Sequence, residues 1–203
     1  MRKMTALTSV LALIAVALAG RSFAEDQQSA TASIGSKAPD FTLQDQNGKN
    51  VSLHDFAGKI VVLEWTNPQC PFVQRHYQAK TMTTLASDYQ SKGVAWLAIN
   101  SSNFTTNDAN LQWAVQQNIA YPILNDASGA TGHAYGATNT PDMYVIGKDG
   151  TLLYQGAIDN DPDGDKTNDK VNYVKTALDE ILSGQPVATP QTKPYGCSVK
   201  YKD

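Results

Sequence analysis

The chain has 203 residues, with 16 Lys and Arg against 19 Asp and Glu, a formal charge of −3. That mildly acidic balance argues against nucleic acid or an anionic membrane surface as a partner. Only two cysteines occur, Cys70 and Cys197, so one intramolecular pairing exists.

The first residues read as a targeting segment. Arg2 and Lys3 form a positive start, residues 5–20 are apolar or small, and Ser22-Phe23-Ala24 is a small-x-small cleavage pattern before Glu25 and Asp26. The apolar run falls short of the roughly 20 residues of a membrane span. Residues 1–24 are therefore expected to be a signal peptide, and the mature protein to be exported, periplasmic or extracellular, and not membrane-spanning. Removing them takes away Arg2, Lys3 and Arg21 but no acid, so the formal charge moves from −3 to −6. An exported chain lives where disulfides persist.

Residues 25–33 are polar and small and read as a disordered lead-in. A folded domain is expected over residues 34–184. Phe41–Leu43 and Val51–Leu53 are short strands around the hairpin signal Asn47-Gly48. Ile60–Trp65 is nearly all apolar, as in a parallel strand covered on both faces. One long helix is predicted from Pro71 to Tyr89, ended at Lys92-Gly93. Val94–Ile99 is a second buried strand, and Asp108–Asn118 a helix with Leu111 and Val115 inward. Tyr121–Leu124 is extended, and residues 127–135 hold one short helix. Met143–Ile146 and Leu152–Gln155 form a hairpin around Asp149-Gly150. Asp169–Ser183 is amphipathic, through Val171, Val174, Leu178 and Ile181, and Gly184 and Pro186 stop it. Residues 185–203 are a tail without helical period that carries Cys197. Helices alternating with buried strands, plus a late antiparallel hairpin, predict an α/β fold with a mixed central sheet between helices.

Within this order, Trp65-Thr66-Asn67-Pro68-Gln69-Cys70-Pro71-Phe72-Val73 stands out. It places a lone cysteine between a buried strand and a helix start. The partial positive charge and free N–H groups of a helix N-terminus stabilise a thiolate. Arg75 and His76 follow within the first turns. Cys70 is the candidate nucleophile, against the plainer reading of half a static disulfide. Closing Cys70 on Cys197 would stabilise the fold by about 4–5 kcal/mol in the loop-entropy model. Cys197 is thus a candidate either for resolving chemistry or for stapling, and Gly196 beside it permits close backbone approach. Glu64 is the sole charge in Ile60–Trp65 and shares a strand face with Ile60 and Val62. Desolvation there would raise its pKa and suit it to proton transfer.

Gly35-Ser-Lys-Ala-Pro-Asp-Phe-Thr-Leu43, Leu53-His-Asp-Phe-Ala-Gly-Lys-Ile-Val-Val-Leu63 and Thr140-Pro141-Asp-Met-Tyr-Val-Ile146 resemble the redoxin (AhpC/TSA) branch of the thioredoxin superfamily. The stretch around Cys70, with the late Gly196-Cys197, is similar to exported peroxiredoxin-like members. The resemblance covers about residues 34–183. It implies a thioredoxin-like three-layer sandwich with an N-terminal β-hairpin, and thiol-based redox chemistry without a bound cofactor. It implies that Pro141 is cis and that Thr140 presents backbone groups to a substrate beside Cys70. It also matches Glu64 to the buried carboxylate of thioredoxins.

Two departures from the family pattern matter. Thioredoxins carry Cys-x-x-Cys, but here Val73 holds the second position, so a resolving thiol must be Cys197 or come from another molecule. Peroxiredoxins carry Pro-x-x-x-Thr-x-x-Cys and a later arginine. Here Leu63 and Asn67 stand at the first two positions, and Arg75 is the only arginine after residue 24. Thr66, Asn67 and Arg75 are the remaining candidates to bind a substrate near the thiol. The expected function is an exported thiol–disulfide oxidoreductase acting on a protein or small-molecule disulfide, re-reduced by an envelope thiol–disulfide partner. The alternatives are a hydroperoxide reductase with peroxidatic Cys70, and a non-catalytic binding or metallochaperone domain. Asp159-Asn-Asp161-Pro-Asp163-Gly164 imitates the start of a calcium loop, but Lys170 replaces the closing glutamate, and no metal site is expected.

Overall fold

The structure is a computed structural model and describes residues 31–202. The expected signal peptide and most of the lead-in lie outside the described residues.

The N-terminal hairpin pairs β1 (Thr42–Gln44) with β2 (Asn50–Ser52). Asp45 shapes its turn: Oδ1 accepts from the backbone N–H of Asn47 and Lys49, and Gly48 takes a positive φ of 77°. A 3-10 turn, Leu53–Phe56, leads to β3 (Ile60–Trp65). Two helices follow, α1 (Pro71–Gln78) and α2 (Thr81–Gln90), then β4 (Val94–Asn100) and α3 (Asn107–Gln117). After β5 (Ile123–Asn125) and α4 (Ala130–Tyr135) come β6 (Asn139–Thr140), β7 (Asp142–Ile146) and β8 (Leu152–Gly156). The chain closes with α5 (Tyr173–Leu182) and β9 (Cys197–Ser198).

Seven strands form one mixed sheet in the order β2-β1-β5-β4-β3-β7-β8. β3, β4 and β5 run parallel; β7 runs antiparallel beside β3, and β8 antiparallel beside β7. β3 lies inside the sheet with both neighbours paired, as its unbroken apolar run predicts. Its alternation sends Ile60 and Val62 to one core and Val61, Leu63 and Trp65 to the other. The first core is capped by α1, α2, α3 and α5 through residues such as Tyr77, Met82, Trp113 and Leu178. The second receives Tyr135 of α4 and the 3-10 turn. The predicted sandwich is present, with most of its helical mass on one face.

Three sequence-based expectations, two boundaries and one buried face, shift for local reasons. The helix predicted over 71–89 breaks after Gln78, because Lys80 adopts a left-handed φ of 57° and α2 restarts at Thr81. α3 turns the other way round: Leu111 and Val115 are 40% and 71% exposed, while Asn110, Trp113 and Ala114 are buried. The buried Asn110 carboxamide accepts from Asn100 Nδ2 and Thr105 Oγ1, which fixes the rotation of the helix. α5 starts four residues late, where the Asn172 side chain accepts from Lys175 N at 2.8 Å and caps it.

The tail is anchored along its length. Thr192 N donates to Gln155 O and Gln155 N to Pro190 O, so the segment lies against β8. Further on, β9 pairs antiparallel with β6, with Thr140 opposite Cys197. Val199 N donates to Thr138 O, and Tyr201 Oη to Ala137 O.

Candidate active site

The site begins with a turn. Asn67 is buried, and its Oδ1 accepts from Gln69 N at 2.9 Å while its backbone oxygen accepts from Cys70 N at 2.9 Å. That turn swings the chain off the end of β3 and delivers Cys70 as the N-cap of α1, with Pro71 at the first helical position. Asn67 therefore acts on the backbone around Cys70. Thr66 continues the strand, its N–H donating to Ile99 O, and its Oγ1 is buried without a hydrogen-bond partner.

Cys70 is 1% exposed. Its Sγ lies 3.0 Å from the Thr140 carbonyl oxygen, to which the thiol donates, and 2.8 Å from Cys197 Sγ. The two sulfurs are free thiols, further apart than the roughly 2.03–2.05 Å of a disulfide bond. The Thr140–Pro141 bond is cis, as expected, and Thr140 is the residue paired with Cys197. Gly196 is required at the crossing. Its φ is 125°, and a Cβ there would collide with the Thr140 carbonyl oxygen.

The surroundings split the two thiols. Burial pushes the Cys70 pKa up, but hydrogen bonding, led by the Cys197 thiol and joined by the Val73 backbone N–H, outweighs it, and the pKa falls below the ordinary thiol value. Val73 N–H is one of the free donors of the α1 N-terminus. Cys197 moves the opposite way, to about 11, because it is desolvated and donates to its neighbour. One sulfur is prepared to ionise while the other holds its proton.

Glu64 lies fully buried in β3. Tyr77 Oη donates to Oε1 at 2.9 Å, Trp96 Nε1 to Oε2 at 3.0 Å and Tyr121 Oη to Oε2 at 3.3 Å. Desolvation outweighs these three donors and raises its pKa to about 7. Glu64 makes no direct hydrogen bond to Cys70. It shares with Cys70 the core face beneath α1, where Tyr77 links the helix to the carboxylate. Asp142, beside Pro141, is a second buried carboxylate raised to about 7 by desolvation, which its hydrogen bonds from Thr138 N and Tyr144 Oη only partly offset.

Arg75 is engaged elsewhere. Its Nη1 donates to Pro162 O and its Nη2 to Asp161 O, so the guanidinium rests on the acidic loop. Asp161 in turn is held by Lys170 Nζ at 2.9 Å. His133 stacks on Tyr201 with ring centroids 4.0 Å apart. Among the described residues no group of three or more His, Cys, Asp or Glu converges in a way that could hold a metal ion.

Sequence reasoning missed Tyr195 and its meeting with His76 and Asp159. Tyr195 Oη donates to Asp159 Oδ1 and sits 2.9 Å from His76 Nε2. Burial pulls the His76 pKa down to about 4, so the ring is neutral near pH 7. The one available signal was an aromatic residue two positions before Cys197.

Residues 34–155 match the family model described as the AhpC/TSA family. The chain is 32% identical over 146 residues to the thiol-disulfide oxidoreductase ResA of Geobacillus thermodenitrificans, covering 71% of this chain and 82% of that protein. Among solved structures, a hypothetical protein of Sinorhizobium meliloti 1021 superposes with a TM-score of 0.73 at 29% identity, covering 85% of this chain and 96% of the other. An uncharacterized conserved protein of Geobacillus kaustophilus gives 0.72 at 30% identity, with 84% and 93% covered. The matched family segment contains β3, the Cys70 turn and the cis-proline strand pair, so this chain, with its thioredoxin-like sheet, belongs to the AhpC/TSA family.

Proposed function

We propose that the protein is an exported thiol–disulfide oxidoreductase with Cys70 as nucleophile and Cys197 as resolving thiol. The observation that carries this reading is the 2.8 Å approach of Cys197 Sγ to Cys70 Sγ at the N-terminus of α1. The Cys70 thiolate attacks a substrate disulfide, forms a mixed disulfide and expels the first thiolate. Cys197, losing its proton, then attacks Cys70 Sγ, closes the Cys70–Cys197 disulfide and releases the second thiolate. Two electrons pass from the protein dithiol to the substrate, and an envelope dithiol partner restores them. Thr140, with Pro141 cis behind it, is paired with Cys197 in the dithiol and offers its backbone groups to a substrate once β9 gives way; the Thr66 hydroxyl is buried beside the same turn. Glu64 takes and returns the proton, its raised pKa placing the exchange near neutrality. Export is supported by the layout of residues 1–24. The ResA relative carries the same activity in its name.

Stopped-flow oxidation of the reduced protein by a small-molecule disulfide and by hydrogen peroxide, with mass spectrometry of both cysteines, tests this reading. Rapid reaction with the disulfide, ending in a Cys70–Cys197 bond, is expected. Oxidation by peroxide far above the rate of free cysteine, with slow disulfide exchange, would assign a peroxidase instead. A dithiol inert to both reagents would leave only a binding role.

A further inference from the structure

Cys197 reaches Cys70 on a segment with little structure of its own. β9 is two residues long, and Cys197 is only half-buried. A stronger attachment lies two residues upstream. Tyr195 Oη donates to Asp159 Oδ1 and meets His76 Nε2 at 2.9 Å. Its ring lies 6.0 Å from that of Phe72, with the Arg75 guanidinium 5.9 Å away. Asp159 is buried and held by Lys170 Nζ at 3.4 Å. Phe72, Arg75 and His76 all ride on α1, the helix whose N-cap is Cys70. The tail is thus tied to the same rigid element that carries the nucleophile.

We propose that Tyr195 is the positioning residue for the resolving thiol: held between His76 and Asp159, it keeps Cys197 at Cys70 and so sets the rate of the second exchange step. The inference rests on the reading that Cys197 resolves the mixed disulfide. That step breaks the Cys197 S–H bond and the bond from Cys70 to the substrate sulfur, forms the Cys70–Cys197 bond, and sends the electron pair out with the departing thiolate, the Cys197 proton passing to solvent. It is intramolecular, and its rate follows the effective concentration of one sulfur at the other. Without the Tyr195 anchor, Cys197 is held by the pairing with Thr140 and the contacts beyond it on one side, and on the other only by the pairing of Pro190 and Thr192 with Gln155, which ends five residues upstream. The tail then spreads over more positions, and fewer of them are reactive. Attack by Cys70 on an incoming disulfide does not depend on where Cys197 stands to the same degree. The anchor therefore acts on the second step and on the stability of the internal disulfide.

The test is single-turnover reaction of the full reduced chain with a chromogenic aromatic disulfide, which releases one coloured thiol at each step. In Tyr195→Phe the ring stays and the hydroxyl goes. The second release should slow about tenfold, with the first within about twofold. In a glutathione buffer the Cys70–Cys197 pair should shift toward the dithiol by a similar factor. Asp159→Ala removes the acceptor from the other side and should slow the same phase, so it decides the matter if Tyr195→Phe does not fold. Cys197→Ser should trap the mixed disulfide. If it does, and the two anchor variants either match the wild-type traces or slow both phases equally, Tyr195 does not position Cys197. If Cys197→Ser releases the second thiol at the wild-type rate, the resolving role itself fails and this proposal falls with it.

Discussion

Thr140 and Cys197 face each other across an antiparallel pair, so the residue before the cis proline and the second thiol share one backbone register. The Thr140 carbonyl oxygen also lies 3.0 Å from Cys70 Sγ. One residue therefore stands against both thiols. Its position depends on β6, and the position of Cys197 depends on it.

That register makes Gly196 sensitive. Gly196→Ala adds a methyl into the Thr140 carbonyl at a φ of 125°, where L side chains are strained. The tail must lift, and Cys197 moves away from Cys70. The Cys70–Cys197 equilibrium against glutathione should shift toward the dithiol by about tenfold or more. Unaltered equilibrium in a folded variant would show that the crossing does not control the pair.

The Cys197 thiol stabilises ionised Cys70 by donating to it. Cys197→Ala removes that donor, so the Cys70 pKa should rise toward the ordinary thiol value, although it is lowered in the native dithiol. Thiolate absorbance in the ultraviolet, followed against pH, reads this directly. A midpoint that stays put would assign the shift to the helix N-terminus alone.

Glu64 predicts a stability slope. Its folded pKa is about 7, above the roughly 4.3 of an unfolded glutamate, so the native state binds more protons between these values. Its contribution is present at low pH and is lost as pH rises toward 7. Glu64→Gln should remove about 2 kcal/mol of the difference in unfolding free energy between pH 5 and pH 8, as read by urea denaturation. Asp142 contributes a slope of the same sign, so the comparison must be between variant and parent. The same substitution should slow disulfide exchange and flatten its pH–rate profile near neutrality.

Lys80 predicts a gain. It is a non-glycine residue at φ 57°, a conformation that costs roughly 1–2 kcal/mol for an L side chain. Lys80→Gly should remove most of that cost while adding unfolded-state entropy, for a net gain of about 0.5–1 kcal/mol. A fall in stability would mean that the lysine stem makes packing contacts that offset the backbone strain.

Much of the fold was legible because its signals are local. The apolar runs of β3 and β4 admit little besides buried parallel strands, and Pro71 after Cys70 marks a helix start. Where tertiary contacts override the pattern, the reading failed. Leu111 and Val115 mark the inner face of α3 by hydrophobicity, but Asn110 is drawn inward by Asn100 and Thr105, and Trp113 packs edge-on against Tyr77. The candidate site divides in the same way. Cys70 and Glu64 stand out against their neighbours in sequence, whereas Tyr195, His76 and Asp159 meet across 119 and 36 positions of chain. No spacing rule predicts that meeting. Arg75 illustrates the reverse: its nearness to Cys70 in sequence suggested a substrate contact, but a loop 86 residues away claims its guanidinium.

The separation of the two sulfurs, 127 residues along the chain, has a mechanical consequence. Reduced, the protein pulled from its ends can extend through its whole contour. Oxidised, it would keep everything between Cys70 and Cys197 closed in a covalent ring, about 400 Å of extended chain withheld from the pull. Oxidation would thus shorten the reach of a forcibly unfolded chain while leaving the dimensions of the folded molecule nearly unchanged, because the two sulfurs already lie 2.8 Å apart.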